Sequence, residues 1–119
     1  METQDCVFCN VPKEKCVTQN RHGLAILAKN PIVTGHTLLI PIKHCKTIED
    51  IDLESLIDLM RLAKKVTADL KKNLKCDGVN ILHASGSAAQ QSVEHFHIHV
   101  VPRYEKDGLD LWFLGKTRI

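Results

Sequence analysis

His95-Phe96-His97-Ile98-His99-Val100-Val101 alternates imidazole with hydrophobic side chains and closes on two valines. Successive side chains of an extended strand point to opposite faces. The run therefore predicts a strand with Phe96, Ile98 and Val100 in a core and His95, His97 and His99 projecting together, each about 6.5 to 7 Å from the next. Histidines on the wet side of an amphipathic strand are one reading of this row. A metal-binding row is a second, because imidazole is a common zinc ligand, yet alternate strand positions stand too far apart for three to close on one ion without distortion. The third is catalytic: one neutral imidazole attacks phosphorus while its neighbours donate to the phosphoryl oxygens. Such a nucleophile needs no metal and titrates near neutrality.

Working outward, residues 78–83 read as a strand joined to the histidine strand by the small, polar linker 84–92, and Pro102 is expected to end the last strand. Residues 24–28 and 37–42 are two further apolar strands, expected to pair across the turn around Asn30 to Gly35. Between these pairs, Leu53, Leu56, Ile57, Met60, Ala63, Val66, Leu70 and Leu74 recur at three- and four-residue intervals, the stripe of an amphipathic helix. Asp52 suits its N-cap, Lys71, Lys72 and Lys75 suit its C-terminal dipole, and Asp77-Gly78 is the expected stop, placing the helix at about 52–75. The first twenty residues hold Cys6, Cys9, Cys16 and Pro12 and read as an irregular arm, and residues 104–119 form a tail carrying the lone Trp112. Strands flanking one long helix predict a single α+β domain with an antiparallel sheet.

Composition narrows the function. A chain of 119 residues with 44% hydrophobic and 25% charged residues is one ordinary globular domain. No apolar run reaches the roughly 20 residues of a membrane span, and the start Met1-Glu2-Thr3-Gln4-Asp5 lacks a signal peptide's basic and apolar regions, so a soluble cytoplasmic protein is expected. A net charge of +2 is too small for gripping polymeric nucleic acid through many phosphates, although one anionic small molecule remains compatible. Five cysteines without a secretory signal argue against a disulfide framework. The Cys6/Cys9 pair alone fits a redox pair, half a zinc site or chance, and no second cysteine pair completes it. Gly115-Lys116-Thr117 has the ending of a phosphate-binding loop, but Asp110 stands where its first glycine is required, which rules it out.

The histidine run resembles the histidine triad (HIT) family, whose pattern is histidine at alternate positions separated by hydrophobic residues and followed by two more. The resemblance extends through Gln91-Ser92-Val93-Glu94, Val79-Asn80, Pro31 and the segment from Gly35-His36-Thr37 through Pro41-Ile42-Lys43-His44, to Cys6-Val7-Phe8-Cys9, about residues 5–104. It implies one HIT domain over residues 1–119, with an antiparallel sheet of about five strands and one long helix. It further implies a nucleotide hydrolase that cleaves purine nucleoside phosphoramidates at the α-phosphate through a nucleotidyl-histidine intermediate. Dinucleoside polyphosphate hydrolysis and a nucleotide-binding regulatory module with little turnover are the alternatives.

Residue by residue, the resemblance makes His97 the nucleophile and His99 a phosphate donor. It places Ser92 and Gln91 at the phosphate or leaving group and His36 in support of the catalytic strand. In the zinc-containing branch, Cys6, Cys9, His44 and His95 would hold a structural Zn²⁺ that ties residues 1–20 to the sheet, with no catalytic metal. That assignment requires His95 to sit at an irregular entry to its strand. The family also implies a homodimer built through the long helix and a sheet edge. Two departures stand out. Ala28-Lys29-Asn30 offers no carboxylate where many members hold the ribose, leaving Asn30 or backbone for that task, and the phosphate loop has Ala84 where an asparagine is frequent and Ala89 and Gln90 where glycines are. His22, His83, Cys16, Cys45 and Cys76 are expected to serve packing or surface.

Overall fold

The computed structural model describes residues 5–112, so the rejected Gly115-Lys116-Thr117 loop lies outside the described residues. Thr37-Leu38-Leu39-Ile40-Pro41 forms a strand in which all five residues are buried. Unbroken burial requires cover on both faces, and the sheet supplies the setting. Its strands are β1 (Cys16–Gln19), β2 (Gly23–Leu27), β3 (Thr37–Pro41), β4 (Gly78–His83) and β5 (Ile98–Arg103). They lie in the order β1-β2-β3-β5-β4, with neighbours antiparallel and β3 central. The five-stranded antiparallel sheet with one long helix, α1 (Leu53–Leu74), is the expected α+β architecture.

Alternation along the strands divides the molecule into two layers. Ala25, Leu39, Phe96, Ile98 and Val100 pack against Leu59, Leu62, Ala63, Val66 and Leu70 of α1. Each such aliphatic side chain contributes roughly 1.5–3 kcal/mol by leaving water. On the opposite face Ile26, Leu38 and Ile40 are covered by Phe8, Val11, Leu24 and Ala28. Leu38 stands opposite His99 in the β3–β5 ladder, so that histidine belongs to the face away from the helix. Gly23 lets α1 approach β2, since a Cβ there would lie 2.6 Å from Leu59 Cδ2. Gly35 combines a φ of +96° with a site where a Cβ would lie 2.6 Å from Leu74 Cδ1, so the β2–β3 connection requires glycine there.

Four expectations are corrected. The N-terminal arm is not irregular throughout: Cys16–Gln19 forms β1, turned back onto β2 through Asn20, whose side chain accepts from the Gly23 amide at 3.0 Å. A four-residue edge strand with only Cys16 and Thr18 half-buried leaves little hydrophobic pattern to detect. Pro102 does not end β5 but lies inside it, buried and opposite Val79. The β3–β5 pairing stops at Val100, so Pro102 withholds no donor from that ladder. The helix stops because Lys75 takes a left-handed φ of 58°, its amide bonding the Lys71 carbonyl, and not at Asp77-Gly78, where β4 already begins.

The fourth correction concerns the helix stripe. Leu59 and Leu62 face the sheet, while Leu53, Ile57 and Met60 are exposed. α1 carries two apolar sides, and three- and four-residue spacing cannot choose between their phases. Asp52 caps the helix as expected, accepting from the Ser55 amide at 3.0 Å. Asp58 is buried on the same helix, and its charge is met by His22 Nδ1 at 2.7 Å and Arg61 Nη1 at 2.9 Å. His22 thereby ties the β1–β2 turn to α1, as a buried carboxylate requires. Arg103 anchors the start of the tail by forking onto both Asp107 oxygens and donating to the Leu109 carbonyl. Among the described residues no helix is long and apolar enough to cross a membrane.

Candidate active site and metal cluster

β5 begins at Ile98, so His95 and His97 precede the regular strand; His97, between the core residues Phe96 and Ile98, still lies on the His99 side, and His95 alone leaves the alternation. The expected row of three is therefore broken. His97 and His99 lie ring against ring, with centroids 5.1 Å apart. His95 turns instead into a group with Cys6, Cys9 and His44 whose ligand atoms all lie within 4.8 Å of one another. This is the irregular entry that the metal assignment requires.

His95 is fully buried and donates from Nε2 to the Pro41 carbonyl at 3.0 Å. Its lone pair is consequently on Nδ1, which lies 3.3 Å from Cys6 Sγ, 3.5 Å from Cys9 Sγ and 3.1 Å from His44 Nδ1. Cys9 Sγ lies 3.2 Å from His44 Nδ1. Sulfur and nitrogen ligands placed tetrahedrally around zinc stand about 3.3–3.8 Å apart, so the donor set fits the ion in kind and in spacing. Burial, with Cys6 beside it, pushes the Cys9 thiol up to about 11, and a coordinated cation would reverse that by stabilising the thiolate.

The remaining histidines have tautomers set by their partners. His97 Nδ1 lies 2.8 Å from the His95 carbonyl, which can only accept, so the proton resides on Nδ1 and the lone pair on Nε2. Burial holds His97 below the usual imidazole range, so it is neutral near pH 7. The Ile32 amide donates to His36 Nδ1 at 3.2 Å, placing the His36 proton on Nε2, which faces His99 Nδ1 at 2.9 Å. His99 then accepts at Nδ1 and keeps its own proton on Nε2, a donor suited to an oxyanion.

Burial, reinforced by His97, His36 and His83, pushes His99 down to about 4, and burial lowers His36 as well. Below the ordinary value of 6.5 the unfolded chain therefore binds protons that the folded pair refuses. Stability from this pair is complete above 6.5 and declines as pH falls towards about 4. Urea midpoints measured across that window should fall more steeply for the wild type than for His99→Gln. Equal slopes would show that the pair does not titrate this way.

The linker residues divide. Ser92 is exposed, has no hydrogen-bond partner among the described residues and borders a cavity of about 770 Å³ with His44, Lys46, Asp50 and Glu94. Gln91, expected at the phosphate, is engaged elsewhere. Its Oε1 accepts from Gly86 at 2.7 Å, and its Nε2 donates to the Lys46 and Val93 carbonyls at 2.7 and 3.0 Å. It pins the loop rather than offering a free amide. Asn30 is exposed on the β2–β3 connection and makes no hydrogen bond to the histidines among the described residues.

A HIT domain family model matches residues 10–106. The chain belongs to the HIT family. A HIT-like protein of Methanocaldococcus jannaschii is 38% identical over 107 residues, covering 87% of this chain and 82% of the relative. The adenosine 5'-monophosphoramidase HNT1 of Saccharomyces cerevisiae is 37% identical over 109 residues, covering 87% of this chain and 66% of that protein. A zinc-bound histidine triad family protein from Mycobacterium smegmatis superposes with a TM-score of 0.84 at 32% identity, over 92% of this chain and 82% of that one. This HIT chain is thus placed among hydrolases.

Against the family pattern, Gln90 adopts a left-handed φ of 70°, the conformation that the frequent glycine would accept freely. Phe8 and His83 are the site residues that the sequence did not disclose. Phe8 sets its ring edgewise on His95 and His97, at centroid distances of 5.8 and 5.2 Å, and closes the arm over both. Its position one residue before Cys9 was the available signal. His83 donates from Nδ1 to the His97 carbonyl at 2.9 Å. Finding it requires the β4–β5 register, in which His83 pairs with Ile98, and a flexible linker does not specify that register.

Proposed function

We propose that this HIT protein hydrolyses purine nucleoside phosphoramidates at the α-phosphate by two displacements at His97. The observation carrying this reading is the buried, neutral His97 with its proton held by the His95 carbonyl and its Nε2 lone pair unencumbered, beside the His36–His99 donor relay. In the first step Nε2 forms a bond to phosphorus as the bond from phosphorus to the amine breaks. His99 Nε2–H and the Ser92 hydroxyl donate to the phosphoryl oxygens. In the second, water adds its oxygen to phosphorus, the phosphorus–Nε2 bond breaks, and the electron pair returns to His97. The phosphoramidate nitrogen takes a proton from solvent as it leaves in the first step, and the attacking water returns one to solvent in the second, so over both steps water supplies the oxygen to the phosphate and one proton to the amine, and the nucleoside monophosphate leaves. The activity named for the yeast relative supports this leaving group.

Cys6, Cys9, His44 and His95 would hold a structural zinc, a reading supported by their spacing and by the zinc-bound relative. Bound there, the ion fixes the arm to the sheet, and four protein ligands leave no open coordination position. A homodimer is the second part of the proposal. Leu53, Ile57 and Met60 on α1 and Ile81 on the edge strand β4 remain exposed and apolar, and a second copy would cover them. Light scattering should return twice the 13.4 kDa chain mass, and a monomer mass would remove the dimer. The catalytic reading is tested with adenosine monophosphoramidate beside diadenosine tetraphosphate. Hydrolysis of the former that depends on His97 supports it. Turnover confined to the latter transfers the site to dinucleoside polyphosphates, and turnover of neither leaves a binding module.

A further inference from the structure

β4 ends at His83 and β5 begins opposite it at Ile98, so the peptide after His97 lies just beyond the ladder. On the β4 side the His97 carbonyl is met by the His83 side chain. Its Nδ1 stands 2.9 Å from the His97 carbonyl, and its ring stacks on Phe96 at a centroid distance of 4.3 Å and 29° between planes. Its other nitrogen, Nε2, meets the Ser85 hydroxyl.

The protons in this chain of contacts have one arrangement. The Ile48 amide is a donor and lies 2.8 Å from Ser85 Oγ, so Ser85 accepts there and turns its own proton to His83 Nε2. His83 accepts at Nε2 and must carry its proton on Nδ1, where it donates to the His97 carbonyl. His97 is consequently gripped twice. The His95 carbonyl fixes its ring through Nδ1, and His83 fixes its backbone from the other side. Rotation of either group swings the Nε2 lone pair, and a nucleophile displaced by a fraction of an ångström loses its attack geometry.

We infer that His83, set by Ser85, is a positioning residue for the His97 nucleophile. The inference rests on the proposed role of His97. His83 acts through the peptide, and substrate affinity does not depend on it. Phenylalanine at this position keeps an aromatic ring over Phe96 but has no donor. Asparagine lacks the ring but places an amide nitrogen at the same δ position as the imidazole nitrogen.

The experiment measures kcat and KM for adenosine monophosphoramidate with wild type, His83→Phe, His83→Asn, Ser85→Ala and His97→Ala. His83→Phe should lower kcat about tenfold with KM within about twofold, and His83→Asn should restore most of kcat. Ser85→Ala leaves His83 in place with its tautomer unset, and should lower kcat by about threefold, a second test if His83→Phe does not fold. Wild-type kcat in His83→Phe overturns the inference, as does an equal loss in the phenylalanine and asparagine variants, which would assign the effect to ring packing. Wild-type turnover in His97→Ala strikes the nucleophile reading itself and is told apart by that variant alone.

Discussion

Alanine at position 97 should reduce hydrolysis of adenosine monophosphoramidate by about four orders of magnitude or more, the scale on which enzymes lose rate with their nucleophile. The magnitude follows from what the site retains. With the imidazole gone, the proposed donors His99 and Ser92 would still reach a phosphoryl oxygen, so binding and part of the electrostatic stabilisation should survive while the covalent route does not. Direct attack by water would have to replace it. His97 is 4% exposed and contacts Phe8 and His99 by ring edges, so the variant leaves a small cavity with its rim intact. Nucleotide affinity and thermal midpoint therefore act as controls and should change little beside the rate. Denaturing the wild type at alkaline pH during turnover, where a phosphorus–nitrogen bond survives, should trap a nucleotidyl adduct on His97, detectable by mass, and the variant should trap none. Loss of less than about tenfold, or an adduct elsewhere, would remove His97 from the nucleophile's place.

That site was legible in part, and the reason lies in which features are local. Alternation identified the face of His99, because His99 is inside β5 and obeys the two-residue period. His97 keeps that phase between Phe96 and Ile98, but His95 does not, since the chain bends at residues 93–95 before the ladder begins. Residue types alone do not say where pairing starts. The Cys6/Cys9 spacing was visible as a half-site, but its completion by His44 and His95 depends on the β3 and β5 ends arriving together, an event of topology. Gln91 shows the converse. Its place beside Ser92 suggested a free amide at the phosphate, whereas three backbone groups left unpaired by the loop claim it. In the fold, the continuous apolar run of β3 marked a strand directly, while its central place came only with the sheet order. The helix phase was not readable, because Leu53, Ile57 and Met60 are as apolar as Leu59 and Leu62, and which side meets the sheet is a tertiary choice.

Removal of the metal should be the largest perturbation of stability, lowering the thermal midpoint by about 10 °C or more on treatment with a strong chelator. Three separate segments meet at the cluster: the arm through Cys6 and Cys9, the turn after β3 through His44, and the entry to β5 through His95. Without the ion, Cys9 is a half-buried thiol with its pKa pushed up to about 11, and the arm is left with the packing of Phe8 and Val11 against the sheet. Cys9→Ser should reproduce the loss, because serine oxygen is a poor zinc ligand, and metal analysis should fall from one equivalent per chain in the wild type towards none. Less than about a tenth of an equivalent in wild type purified without chelator would overturn the zinc assignment. The rate separates a structural ion from a catalytic one. Measured below the lowered midpoint, kcat should fall only severalfold, about the effect expected of a supporting residue rather than of a reacting group. It should not remain unchanged, because the backbone carbonyl that holds His97 Nδ1 belongs to His95, the same residue whose ring faces the cluster. A loss as deep as that of His97→Ala would instead place the ion in the chemistry.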